Sequence, residues 1–298
     1  MKKLILPIVL LSLQFLVNAQ QTPILNHSLV NKYLLNPAVA GTEEFSPIRA
    51  HIKSQWTGFS DGNPKTQFLS GHTSMEDYGL GGSIFNDQYG SFKKTGIAFT
   101  YSYKVEVNDD YSLSFGLSPS IYQYSINQSD YMFFDSGDNS ITGAKEAGMI
   151  FDANAGLYFY SEKFQAGLAA LQLLQPKYEV GLSDEKNNLL RTIVVHAGTK
   201  LDASDKIIIE PLLAGFLNSS GFLAEISVNT WYDNKYWIGL GYRTSGQALI
   251  VAGLKFNNYY LGYSFELGFS GMADYSNGTH EILLGIDLFS KNSSSLIK

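Results

Sequence analysis

The chain contains no cysteine. That excludes disulfides, thiolate metal centres and a lipid anchor on an N-terminal cysteine. Charged residues are sparse at 16%, and acidic side chains outnumber basic ones 27 to 21, so no basic surface for nucleic acid is available. Beyond the N-terminus there is no apolar run of about 18 residues, the length a membrane-spanning helix requires. Helical periodicity is missing as well; FQAGLAALQLL, the best candidate, also parses as a strand. No proline- or serine-rich linker divides the chain.

What the chain does have begins with MKKLILPIVLLSLQFLVNAQ. Lys2 and Lys3 precede an apolar stretch from Leu4 to Val17, and Val17-Asn18-Ala19 is a small-residue cleavage site. This is the pattern of a secretory signal peptide over residues 1–19, cut after Ala19. Its removal leaves a net charge near −8. The remainder divides into an N-terminal segment 20–44, one domain over 45–290 and a tail over 291–298.

Period-two alternation fills that domain. In KYWIGLGYR, Tyr236, Ile238, Leu240 and Tyr242 oppose Trp237, Gly239, Gly241 and Arg243. Strand geometry turns such a pattern into a two-faced ribbon. Strands are expected at about 45–56, 66–75, 77–86, 92–104, 110–125, 150–160, 163–172, 190–201, 205–217, 220–232, 235–243, 247–256, 259–268 and 279–290. Most approach the roughly 9–11 residues with which a tilted strand crosses a bilayer. Their number is even. The odd-numbered connections hold about 9, 5, 24, 17, 2, 3 and 10 residues, whereas the even-numbered ones hold about 1 to 5. Long loops on one side and tight turns on the other mark an outer-membrane barrel.

A soluble sandwich also alternates, with its apolar face inward. Three features favour lipid on the apolar face. The opposite face is small and glycine-rich. The charges of five consecutive strands, Glu225, Arg243, Lys255, Glu266 and Asp287, share that small face with mixed sign, as a lumen network would. Finally, Trp56, Tyr101, Tyr103, Trp231, Tyr232 and Tyr236 gather near strand ends, where aromatic girdles belong. The expected fold is all-β: a closed antiparallel up-and-down transmembrane barrel of about fourteen strands. KIIIEPLLAGF does not alternate cleanly and leaves Glu210 unplaced.

Motifs of chemistry are scarce. His27, His51, His72, His196 and His280 show no metal-ligand spacing, and structural roles are expected for them. His280-Glu281 at the start of the last strand suggests hydrogen bonding at the membrane boundary rather than acid–base work. There is no GxSxG elbow, and GLGGSIFND opens no helix that could cradle phosphate. Neither a catalytic set nor a cofactor site can be named.

Several segments carry a resemblance. YLLNPAVAGT, IKSQWTGFSDGNPKTQFLSGHT, GLGGSIFNDQYG, YWIGLGYR and GYSFELGFSGMADYSNGTHEILLG follow one another in the order and spacing of the PorP/SprF family, which they resemble over essentially the whole mature chain. Val39 stands where that family usually has an aromatic, and the tail KNSSSLIK follows the final strand's Phe289. The resemblance implies a non-enzymatic barrel of the bacterial outer membrane belonging to the type IX secretion system. It further implies a role in secreting adhesins, including gliding adhesins, or in holding them at the cell surface. The implied partners are an adhesin or its C-terminal domain, other secretion components and a separate peptidoglycan-bound periplasmic protein. Loop residues Asn36, Pro37, Trp56, Gly58, Pro64, Lys65 and Thr66 lie in the matching motifs and are candidates for recognition. Loops 126–149, 173–189 and 57–65 are the expected docking surfaces. A diffusion channel is the competing reading, with a soluble β-adhesin and an outer-membrane hydrolase behind it.

Overall fold

The computed structural model describes residues 24–58, 62–127, 145–178, 187–269 and 276–289. Its strands are β1 (Ser46–Ser54), β2 (Lys65–Ser74), β3 (Tyr78–Tyr89), β4 (Phe92–Glu106), β5 (Ser112–Asn127), β6 (Lys145–Tyr160) and β7 (Phe164–Leu171). A small ladder of β8 (Lys177–Tyr178) and β9 (Asn187–Asn188) stands apart from the main sheet. The wall continues with β10 (Thr192–Thr199), β11 (Leu201–Ser204), β12 (Ile207–Asn218), β13 (Gly221–Tyr232), β14 (Tyr236–Arg243), β15 (Gln247–Phe256), β16 (Tyr259–Gly268) and β17 (Thr279–Leu288). Among the described residues the only helical elements are two 3-10 turns, Lys32–Leu34 and Pro37–Val39.

Each wall strand pairs antiparallel with its sequence neighbours. β1 closes the ring on β17 from Ser46↔Leu288 to Ser54↔His280. β10 and β11 are two pieces of one strand, both paired with β12, so the closed barrel has fourteen strands. Closure leaves no bare backbone edge, which a lipid environment requires. The break between β10 and β11 lies across from Pro211, and the β4–β5 ladder skips the stretch opposite Pro119. Proline has no N–H to give a ladder, so each interruption falls where a hydrogen bond is missing.

The connections after odd-numbered wall strands include the long segments 55–64, 128–144, 172–191 and 269–278; no connection at the other end exceeds five residues. The two ends are called here the long-loop end and the short-turn end. The apolar faces point outward: Phe99, Leu117, Phe151, Ile226, Leu240 and Phe256 are all exposed. At the short-turn end Tyr103, Tyr232, Tyr236 and Tyr259 are exposed in a belt, and Tyr78 stacks on Tyr101 at 5.8 Å. Trp231 departs from this belt. It turns inward, donates from Nε1 to Glu210 Oε2 at 2.8 Å and packs on Trp237.

The two faces of β14 allow a direct check. Leu240 is 65% exposed on the outer face, while Arg243 of the same strand is buried in the lumen. Leu240→Arg is expected to lower barrel stability by about 2–4 kcal/mol in lipid vesicles, the cost of a cation near the midplane. Urea titration of folding into vesicles measures it, and an unchanged midpoint would mean that this face does not meet acyl chains.

Candidate functional site

The lumen is filled by residues 24–45. This segment starts beside Lys53 in the long-loop half, crosses the interior and leaves at the short-turn end to enter β1. It has too few periodic residues to form a strand or helix of its own, and the wall supplies its partners. Asn36 caps the Pro37–Val39 turn by accepting from the Ala38 N–H at 2.9 Å. Its side-chain amide then donates to the Leu157 carbonyl at 2.7 Å and approaches His196 at 3.4 Å. The Ala40 carbonyl accepts from Ser102 Oγ at 2.6 Å, and Tyr33 bonds with Thr100.

Glycines make the fit possible. A side chain on Gly116 would run into the backbone of Pro37 and Ala38, and one on Gly156 would overlap Asn36. The small inner face of β5 and β6 is therefore a groove in which the LNPAVAG stretch lies. Leu29 and Leu35 pack with Ala169, Val194 and Leu212 on the wall. Tyr33, Ala38, Val39 and Ala40 pack with Tyr158. From the long-loop end, Leu189 of the 172–191 connection inserts among Tyr122, Tyr124 and Ile150.

Two ion-pair clusters stand on the inner wall. In the long-loop half, Arg243 donates to Glu225 at 2.7 Å, to Glu266 at 3.1 Å and to Asn26 Oδ1 at 3.0 Å. Lys53 reaches Glu266 at 3.0 Å, Asn26 Oδ1 at 3.2 Å and the Ile24 carbonyl at 2.8 Å. In the short-turn half, Asp287 accepts from Arg49 at 2.6 Å, Tyr260 at 2.7 Å and Lys255 at 3.1 Å. The five charges read from the later strands thus fall into two groups. Arg49 and Lys53 of β1 complete them; their alternation with Ile48, Ala50 and Ile52 is the sequence signal that places them inside. Glu281 also lies inside, fully buried, with His27 and His51 on its Oε1 and the Asn26 N–H on its Oε2 at 2.7 Å. His280 stays on the outer side and bonds Tyr263 Oη at 2.6 Å.

The seven motif residues do not share one surface. Asn36 and Pro37 are buried in the lumen. Thr66 is buried too, donating to Asp87 at 2.6 Å. Trp56, Gly58, Pro64 and Lys65 remain at the long-loop rim, with Trp56 and Lys65 exposed. Here residue 57 pairs with the closing loop, Thr57 N to Gly278 O at 2.9 Å and Asn277 N to Thr57 O at 2.6 Å. Gly58 holds φ +102° against Asn277, a conformation open to glycine. The proposed docking stretches at 128–144 and 179–186 lie outside the described residues.

At the short-turn end a cavity of about 720 Å³ opens, lined by Lys32, Glu43, Tyr158, Lys200, Glu210 and Tyr260 among others. Outside the strands, burial lowers the Lys32 pKa and raises that of Glu43, each against the opposing pull of nearby charge, Glu210 on Lys32 and Lys32 on Glu43. Among the described residues, the side chains that bring three metal-ligand atoms together are His27, His51 and Glu281.

The family description "Type IX secretion system membrane protein PorP/SprF" matches residues 17–286. The chain belongs to that family. The comparison with curated proteins gives no match. Of solved structures, the CymD monoaromatic hydrocarbon channel is similar with a TM-score of 0.52 at 13% identity, over 86% of this chain and 91% of that one. The Ralstonia pickettii toluene transporter TbuX gives 0.49 at 10% identity, over 88% and 92%. A Pseudomonas aeruginosa FadL homologue gives 0.48 at 10%, over 85% and 93%. At 13% identity the likeness to CymD speaks for the barrel alone. As a PorP/SprF member with a closed fourteen-strand barrel, the protein is a membrane component of the type IX secretion system.

Proposed function

We propose that this PorP/SprF protein is a closed docking platform in the bacterial outer membrane. It binds a secreted adhesin, or that adhesin's C-terminal domain, through its long external loops, and it thereby supports secretion or surface attachment without chemical catalysis. The observation that carries this reading is the occupied lumen. With residues 24–45 bonded to the wall from Lys53 to Ser102, the segment takes up the interior between the two ends, and the rims remain as binding surfaces. Long loops face outward in outer-membrane barrels, which assigns the long-loop end to the adhesin. The short-turn end, with its charged cavity, then faces the periplasm and other secretion components, including a separate peptidoglycan-bound protein. Cleavage after Ala19 would precede insertion.

Shortening the 128–144 loop tests the assignment. Replacing residues 130–142 by a Gly-Ser bridge spares β5 and β6. The variant is expected to insert and to show the heat-dependent gel mobility of a folded barrel, while the cells lose the adhesin from their surface. Undiminished surface adhesin on cells carrying the shortened barrel would remove this loop from the docking site.

A further inference from the structure

Two imidazoles and a carboxylate meet at a buried point between the N-terminal segment and the barrel seam. His27 Nδ1 and His51 Nδ1 lie 3.1 and 2.9 Å from the same Oε1 of Glu281. The ligand atoms all fall within 4.8 Å of one another, and all three side chains are fully buried. We propose that His27, His51 and Glu281 form a site for one divalent transition-metal ion of the zinc class, which clasps the N-terminal segment to the first and last strands.

The donor set suits such an ion: two imidazole nitrogens and one carboxylate oxygen are a common three-ligand complement for zinc. Bonds of about 2.0–2.2 Å to a tetrahedral ion place its donors about 3.4 Å apart. The Glu281 oxygen has to move out by a few tenths of an ångström from each nitrogen, and the two nitrogens, within 4.8 Å of each other, have to close to the same spacing.

Outer partners are in place for His51 and Glu281, while His27 Nε2 is buried without one. His51 Nε2 is 3.0 Å from the side-chain amide of Asn31, which also reaches Ser70 Oγ at 3.0 Å. An asparagine presents either its oxygen or its nitrogen. With the oxygen toward His51, Asn31 accepts the Nε2–H and leaves the Nδ1 lone pair free for the ion, the support that metal-bound histidines commonly have. Glu281 Oε2 is held by the Asn26 N–H, which steers Oε1 toward the two rings.

The charge of the surrounding cluster favours an added cation. The buried long-loop cluster holds Lys53 and Arg243 against Glu225, Glu266 and Glu281, so carboxylates exceed fixed cations. Uncompensated buried charge is costly. A divalent ion between the histidines more than offsets that single excess charge and leaves the cluster one charge positive, whereas a proton on one imidazole balances it; the experiment separates the two.

The site has no exposure, so the ion must enter as the N-terminal segment docks, coupling binding to folding. The full processed chain is therefore refolded in detergent with Zn(II) or Co(II), then desalted against a chelator. The metal per chain is read by plasma mass spectrometry and the Co(II) form by visible absorption. One equivalent is expected to remain, with the ligand-field bands of a low-coordinate N/O cobalt site. His27→Gln changes only the segment and leaves the wall strands intact; it is expected to fold and to lose affinity by at least 100-fold. His51→Gln serves in its place if His27→Gln does not fold. Folded wild-type protein with no retained metal overturns the proposal, and so does equal retention by wild type and variant. Stability that follows pH without retained metal would assign the place to a proton instead.

Discussion

In a planar bilayer, the Gly116→Leu protein is expected to conduct steadily where the wild-type protein is silent. At Gly116 even a Cβ would collide with backbone atoms of Pro37 and Ala38, and backbone has no alternative rotamer to adopt. The wall cannot yield either, because β5 is paired along its length with β6 and for most of it with β4. The N-terminal segment is the part that must give way. Its grip here rests on the Asn36 amide, the Ala40 carbonyl and the packing of Tyr33 and Val39, all of which depend on the same groove. Overpacking of a tight contact costs about 1–3 kcal/mol or more, enough to shift the segment from mostly seated to substantially released. Fourteen strands enclose a lumen wide enough for water once it is vacated. Silence of a folded Gly116→Leu barrel would show that other groups close the lumen. Steady openings in the wild type would favour the diffusion-channel reading over the platform.

The second large effect is on stability. Arg243→Ala leaves Glu225 without its cation in a buried site and strips one of two cations from Glu266. Breaking a buried ion pair from one side costs about 3–5 kcal/mol, chiefly from the charge left behind. That loss should appear as a lower urea midpoint for unfolding in detergent micelles. Replacing both members, Arg243→Met with Glu225→Met, should recover most of it, because no orphaned carboxylate remains on β13. If the double variant is as weak as the single one, the stability lies in Arg243's bond to Asn26 and the seating of the segment, not in the pair.

The barrel was legible because its strands are amphipathic in the simplest way. IAFTYSY and YWIGLGYR announce their two faces residue by residue, and the structure turns the apolar face of each outward. KIIIEPLLAGF resisted the same treatment for a reason that the fold makes plain. On β12, Leu212 points inward, yet it is apolar because it meets Leu29 and Leu35 of the N-terminal segment, not water. The strand is greasy on both sides, and the two-residue period vanishes from the sequence while persisting in space. Trp231 misled in the opposite sense: an aromatic near a strand end suits a girdle, but its indole N–H found Glu210 inside. The N-terminal segment itself was hidden because its order comes from contacts with strands far along the chain. Its one local signal was the Asn-Pro turn. His27 and Glu281 are 254 positions apart, so no spacing rule could have joined them.

The last wall strand supplies Glu281 and the penultimate one Glu266, while the first residues to reach them are Asn26 and Lys53. Zipping the seam and capturing the chain's own leading end are consequently one cooperative event. A nascent polypeptide still lacking its final hairpin has no sealed cylinder and a stopper without the anchors of its leading end, so both are completed only when the C-terminus arrives.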